Sequence, residues 1–165
     1  MIPCLAFAGN SGVGKTTLIA GVLGILRGQG LRVGVIKHSG GFADPDQPGK
    51  DSFVLRRAGA ERLVLAGPDA TVCFHRHPGA EPSFEARLAL LGEGLDLVLV
   101  ESYRSRELPT IEVLRKGHSE TARFEGTPRL VAIAADFPPG GDVPWLPLGD
   151  PGKVAEFVAG FLVRA

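Results

Sequence analysis

Hydrophobic residues along this chain follow two rhythms. Ile2 to Ala8, Leu31 to Ile36, Leu95 to Val100, Ile111 to Leu114 and Leu130 to Ala135 are short, mostly apolar runs, the pattern of strands buried on both faces. Within Thr16 to Arg27 the spacing changes: Leu18, Ile19, Val22, Leu23, Ile25 and Leu26 recur at helical intervals, and Gly28 and Gly30 end the segment. Further helices are predicted over Asp51 to Gly59, Ser83 to Leu91 and Lys153 to Val163. Arg62 to Ala66 and Thr71 to Phe74 flank the turn signal Gly67-Pro68-Asp69 and read as a β-hairpin. Strands alternating with helices predict an α/β fold: a three-layer, mostly parallel sheet with helices on both faces and an antiparallel hairpin.

The connection from the first strand to the first helix carries the chemistry. Gly9-Asn10-Ser11-Gly12-Val13-Gly14-Lys15-Thr16-Thr17 matches Gly, four residues, Gly-Lys-Ser/Thr, the loop of P-loop NTPase-type sheets. Glycines let such a backbone curl until successive N–H groups face a phosphate, and the following helix adds its positive end. Lys15 is expected to reach the β- and γ-phosphates, Thr16 to give its hydroxyl to magnesium, and Thr17 to contact the α-phosphate. The strand before and the helix after are the context this pattern requires, so a nucleoside triphosphate with Mg2+ is the expected ligand.

Composition narrows the classes. With 165 residues, 44% of them hydrophobic, one domain spanning 1–165 is expected. Acidic and basic residues balance at 18 each, which removes any bulk electrostatic case for nucleic acid or an anionic membrane as partner. No run is long and apolar enough to span a bilayer and no secretion signal opens the chain, so a cytoplasmic location is expected. Cys4 and Cys73 then read as reduced thiols.

Three carboxylates are candidates to act with the phosphate loop. Glu101 ends Leu97-Val98-Leu99-Val100, and the strand would deliver it to the loop's edge of the sheet, near magnesium, to hold a metal-bound water or orient the attacking one. Asp44, in the loop from Lys37 to Gly49, is expected as a second contact to magnesium or its waters, because ligands gather at strand carboxyl ends in an open α/β sheet. Asp136 follows Leu130 to Ala135, where it could accept from the ring N–H and amino group of guanine, a donor pair adenine lacks. Arg104 and Arg106 are candidates to face an anionic ligand or partner.

Several blocks together carry a resemblance: the phosphate loop, Val33-Gly34-Val35-Ile36-Lys37-His38, Pro48-Gly49-Lys50-Asp51-Ser52, Arg57-Ala58-Gly59-Ala60, Leu97-Val98-Leu99-Val100-Glu101 and Ile111-Glu112-Val113. In this order, over nearly the whole length, they resemble the MobB family of molybdopterin-guanine dinucleotide biosynthesis adaptor proteins. The resemblance implies a homodimeric GTP-binding protein with weak GTPase activity. Its implied partner is MobA, the guanylyltransferase that attaches GMP to molybdopterin. On that resemblance Lys15, Thr16 and Glu101 match phosphate- and magnesium-binding positions, while Lys50 and Asp51 match a family motif. The chain departs from the family where members often carry a Glu-Gly pair and it has Glu101-Ser102. A small-molecule P-loop kinase is the alternative, although no helical arginine-bearing lid is visible in the sequence. A structural dimer that retains the loop unused is the third reading.

Overall fold

The computed structural model describes residues 2–41, 44, 46–77, 79–102 and 107–163. They pack as two compact units, Met1–Ser39 with Leu88–Ala165, and Gly40–Arg87.

The first unit is built on six parallel strands: β1 (Cys4–Ala8), β2 (Val33–Lys37), β5 (Leu97–Glu101), β6 (Thr110–Leu114), β7 (Leu130–Ala135) and β8 (Trp145–Pro147). Their order across the sheet is β2-β5-β1-β6-β7-β8. The chain leaves β1 toward one edge and later returns to its other side at β6, so the carboxyl end of β1 is a topological switch point. Two-residue periodicity divides the side chains between the faces. Leu5, Phe7, Leu97, Leu99, Ile111, Val113, Ala132 and Ala134 share one core with α1 (Lys15–Gly28) and α4 (Pro151–Leu162). On alternate positions Leu114, Ile133 and Ala135 pack with Ala122, Phe124, Phe137 and Val143, so the connection from β6 to β7 covers the second face there.

The strands predicted over this unit occur within a few residues of their expected bounds. β8 was not foreseen: three residues that end in proline and lie at a sheet edge give too short a run to stand out. α4 begins with Pro151, and Asp150 caps it by accepting from the Lys153 N–H at 3.1 Å. Among the described residues no helix is long and apolar enough to cross a membrane.

The second unit contains α2 (Asp51–Arg57) and the hairpin of β3 (Arg62–Ala66) with β4 (Thr71–His75). The hairpin pairs antiparallel from Arg62 opposite His75 to Ala66 opposite Thr71, and forms its own two-stranded sheet, which leaves the main sheet parallel throughout. Asp46 accepts from Ser52 Oγ at 2.9 Å and Arg56 Nε at 3.3 Å, and the Arg56 guanidinium lies 4.1 Å from the Phe74 ring centroid. Val54, Leu55, Val64, Leu65 and Val72 are exposed. The division between the units falls inside α3 (Phe84–Ala89).

Candidate functional site

The loop after β1 is shaped by close contact with β6. Gly9 has φ 142°, and a Cβ added there would meet the Val113 carbonyl oxygen at 2.4 Å, so no side chain fits. Val13 anchors the far side of the loop by complete burial. Lys15 is buried too, and its ammonium crosses the loop to donate to the carbonyls of Gly9 at 3.1 Å and Asn10 at 2.7 Å. In a planar trans peptide the carbonyl and the following N–H point oppositely, so holding carbonyls on one side turns amides to the other. α1 starts behind Gly14 with no side-chain cap and no acidic residue in its first turn. The partial positive charge of this helix end is therefore not offset by an acidic side chain in its first turn.

Glu101 meets the loop through the sheet. β5 lies between β1 and β2, which sets Glu101 in register with Phe7 on one side and Lys37 on the other. Thr16 Oγ1 donates to Glu101 Oε1 at 2.8 Å, Lys37 Nζ donates to Thr16 Oγ1 at 3.3 Å, and the same ammonium stands 3.4 Å from Glu101 Oε2. Glu101 is only 6% exposed. A positive group thus already sits against the hydroxyl and the carboxylate expected to bind metal. Two hard oxygen donors suit magnesium, which retains waters and takes its remaining ligands from phosphates. Among the described residues no cluster of three or more His, Cys, Asp or Glu could hold a metal without them.

Lys15, Thr16 and Glu101 are therefore brought together, with Thr17 exposed one residue further along α1. Asp136 is exposed at the end of β7, where its Oδ1 accepts the Lys116 N–H at 2.8 Å. Asp44 belongs to the second unit, and Arg56 Nη2 donates to its two oxygens at 2.7 and 2.8 Å. Hydrogen bonding from Arg56 holds the Asp44 carboxyl below the usual carboxylate range, and a metal there would have to displace that guanidinium. Lys50 stands immediately before α2 and Asp51 in its first turn. Arg104 and Arg106 lie outside the described residues. Ser102 has φ 61°, a left-handed conformation that glycine adopts more readily than serine.

Three groups of residues at the loop carried no assigned role in the sequence. Lys37 closes a strand otherwise read only as part of a family block. Glu112, 1% exposed on β6, accepts the Arg123 N–H with both oxygens at 2.9 and 2.8 Å and the Phe124 N–H at 3.2 Å. A glutamate inside an apolar strand was the available signal for such an anchor. Arg115, His118 and Arg123, on the connection from β6 to β7, lie against the phosphate loop. No spacing rule marks them, because an irregular connection brings them there.

The model of the family described as "MobB: Molybdopterin guanine dinucleotide synthesis protein B" matches residues 4–136. The chain is 36% identical over 170 residues to the molybdopterin-guanine dinucleotide biosynthesis adapter protein of Escherichia coli K12, covering 99% of this chain and 95% of that protein. It is 29% identical to the adapter protein of the same description from Haemophilus influenzae, covering 98% and 90%. The crystal structure of Bacillus subtilis MobB superposes with a TM-score of 0.76 at 24% identity, covering 96% of this chain and 97% of that one.

Proposed function

The chain belongs to the molybdopterin guanine dinucleotide synthesis protein B (MobB) family, and on that premise we propose that it is a GTP-binding adaptor with weak magnesium-dependent GTPase activity. In this reading it assists a MobA-type guanylyltransferase in attaching GMP to molybdopterin. The observation that carries it is the convergence of Lys15, Thr16 and Glu101 at the switch point of the sheet.

Lys15 would exchange the carbonyls of Gly9 and Asn10 for phosphate oxygens, a gain in acceptor strength because those oxygens are charged. The amides of the loop and of the first turn of α1 would hold the same phosphates. Thr16 and Glu101 would hold magnesium, which when bound draws charge from the β- and γ-oxygens. Glu101 would also orient the attacking water. Asp136 is assigned to the ring N–H and amino group of guanine. A site that positions phosphates beside one magnesium turns over slowly until a partner completes it, which suits an adaptor. The exposed apolar positions Val64, Leu65 and Val72 on the hairpin support a second copy of the chain as partner.

Titration with GTP and with ATP in magnesium, repeated with molybdopterin and the transferase present, tests base choice and pathway together. GTP is expected to bind more tightly than ATP, and phosphate release to be slow until the transferase is added. Fast unassisted turnover would count against an adaptor, and phosphate transfer that requires a small acceptor would favour a kinase.

A further inference from the structure

We propose that Arg115 and Arg123 form a polyphosphate clamp supplied within this chain, with His118 as the residue that positions the loop beneath it. The inference rests on the nucleotide-binding reading above. All three residues come from the connection between β6 and β7, and each meets a different part of the phosphate loop. Arg123 Nη2 donates to Asn10 Oδ1. His118 Nε2 lies 2.7 Å from the Ser11 carbonyl oxygen, a bond it makes as the donor tautomer. A Cβ placed on Gly14 would stand 3.0 Å from Arg115 Nη2.

The bonding pattern distinguishes these groups from ordinary surface charge. Among the described residues none of the ion pairs includes Arg115 or Arg123, and what Arg123 bonds is a neutral amide oxygen. Two guanidinium groups beside one loop repel each other unless an anion stands between them. Planar guanidinium is also the side chain that matches phosphate oxygens in pairs. His118 acts differently, since it holds the Ser11 carbonyl and so turns the Gly12 amide away from itself.

Their placement is built from both ends of the connection. Arg115 sits in a tight turn: its N–H donates to the Ser119 carbonyl at 3.0 Å, its carbonyl accepts from His118 at 3.0 Å and from Ser119 at 2.9 Å, and the Asp136 carboxylate fixes the neighbouring Lys116 N–H. At the far end the buried Glu112 carboxylate grips the amides of Arg123 and Phe124. Phe124 in turn packs into the second core. The cations are thus presented by anchored backbone, so they reach the loop without a lid closing over it.

The test measures binding of GTP and of inorganic tripolyphosphate, each with magnesium, to the wild-type chain, the Arg115→Ala/Arg123→Ala double variant and the Arg115→Lys/Arg123→Lys variant. The double alanine variant is expected to lose at least about tenfold in affinity for both ligands, with an unchanged melting temperature without ligand, and the lysine variant to recover part of that loss. Equal affinity of wild type and double alanine variant overturns the clamp, as does an affinity loss that only tracks a fall in melting temperature. If the wild type binds tripolyphosphate as tightly as GTP, the nucleotide reading fails while the tripolyphosphate ratio still decides the clamp. Binding of neither ligand overturns both.

Discussion

Replacing Glu101 with Gln separates a metal-binding role from a structural one. The amide keeps the size of the side chain and an oxygen for Thr16, but removes the charge that faces Thr16 Oγ1 at 2.8 Å and Lys37 Nζ at 3.4 Å. A hydrogen bond to a charged group contributes about 1.5–3 kcal/mol against about 0.5–1.5 for a neutral one, so the Thr16 contact should weaken by about 1 kcal/mol. The Lys37 side chain is 55% exposed, which limits that pair to about 0–1 kcal/mol. Releasing a carboxylate from burial offsets part of both, so the melting temperature should move by no more than about 4 °C. Magnesium is affected far more. Unit charges about 4 Å apart attract by about 4 kcal/mol at an effective dielectric near 20, and a divalent ion doubles that before its lost hydration is subtracted. A remainder of about 1.4 kcal/mol already means about tenfold in affinity. Calorimetric titration of GTP in magnesium and in EDTA should show the variant at least about tenfold weaker with the metal and little changed without it. An identical dependence on magnesium in both proteins would refute the assignment of Glu101 to the metal.

Three further outcomes follow from particular contacts. Gly9→Ala should cost about 2–4 kcal/mol, because its Cβ would stand 2.4 Å from the Val113 carbonyl at φ 142°; a drop in melting temperature below about 5 °C in a thermal scan would show that the loop relaxes around it. Asp96→Asn should flatten the acid limb of stability. The Arg32 N–H, and then its guanidinium, holds the Asp96 carboxyl below 3.8, so its contribution is present above that value and is lost as pH falls through the lowered pKa; urea titrations from neutral pH downward that superpose for both proteins would contradict this. Glu112→Gln puts an amide NH2 group among three backbone donor contacts and should destabilise the chain by about 1–3 kcal/mol. Hydrogen exchange at Arg123 and Phe124 should accelerate selectively, and unaltered protection there would remove Glu112 as the anchor of the connection.

The parts of the site readable from sequence are those whose geometry is local. Gly9 to Thr17 is a continuous stretch, so its spacing alone announces it. Glu101 follows from a second local rule, that a continuous apolar run ends at the sheet edge where the loop lies. Lys37 required the strand order, since it reaches Glu101 only because β2 and β5 are neighbours although 64 positions separate the two residues. The basic residues of the β6 to β7 connection required more still. That segment has no period, and its path is set by Glu112 and Asp136 accepting backbone N–H groups, contacts that composition does not reveal. β8 escaped for a different reason, because a three-residue edge strand buries little and leaves almost no apolar pattern.

The acceptors held by the cations at this loop suggest the order in which ligands would engage them. Lys15 holds two backbone carbonyls, His118 another, and Arg123 a side-chain amide. Each of these acceptors is neutral, so for Lys15 and Arg123 a phosphate oxygen would be the stronger partner, and exchange is favourable wherever the phosphate can reach. Lys37 is the exception, for it is paired with a carboxylate that is itself almost fully buried. Pulling that ammonium away without substitution would leave the buried Glu101 carboxylate with the Thr16 hydroxyl but without a countercharge, which is unfavourable. A metal ion arriving on the same two oxygens removes that cost. On the proposed function, polyphosphate alone would engage Lys15 and the arginines but leave Lys37 on Glu101, whereas magnesium with triphosphate would release it. Nucleotide and metal would therefore bind cooperatively, and the lysine at the end of β2 is the physical reason.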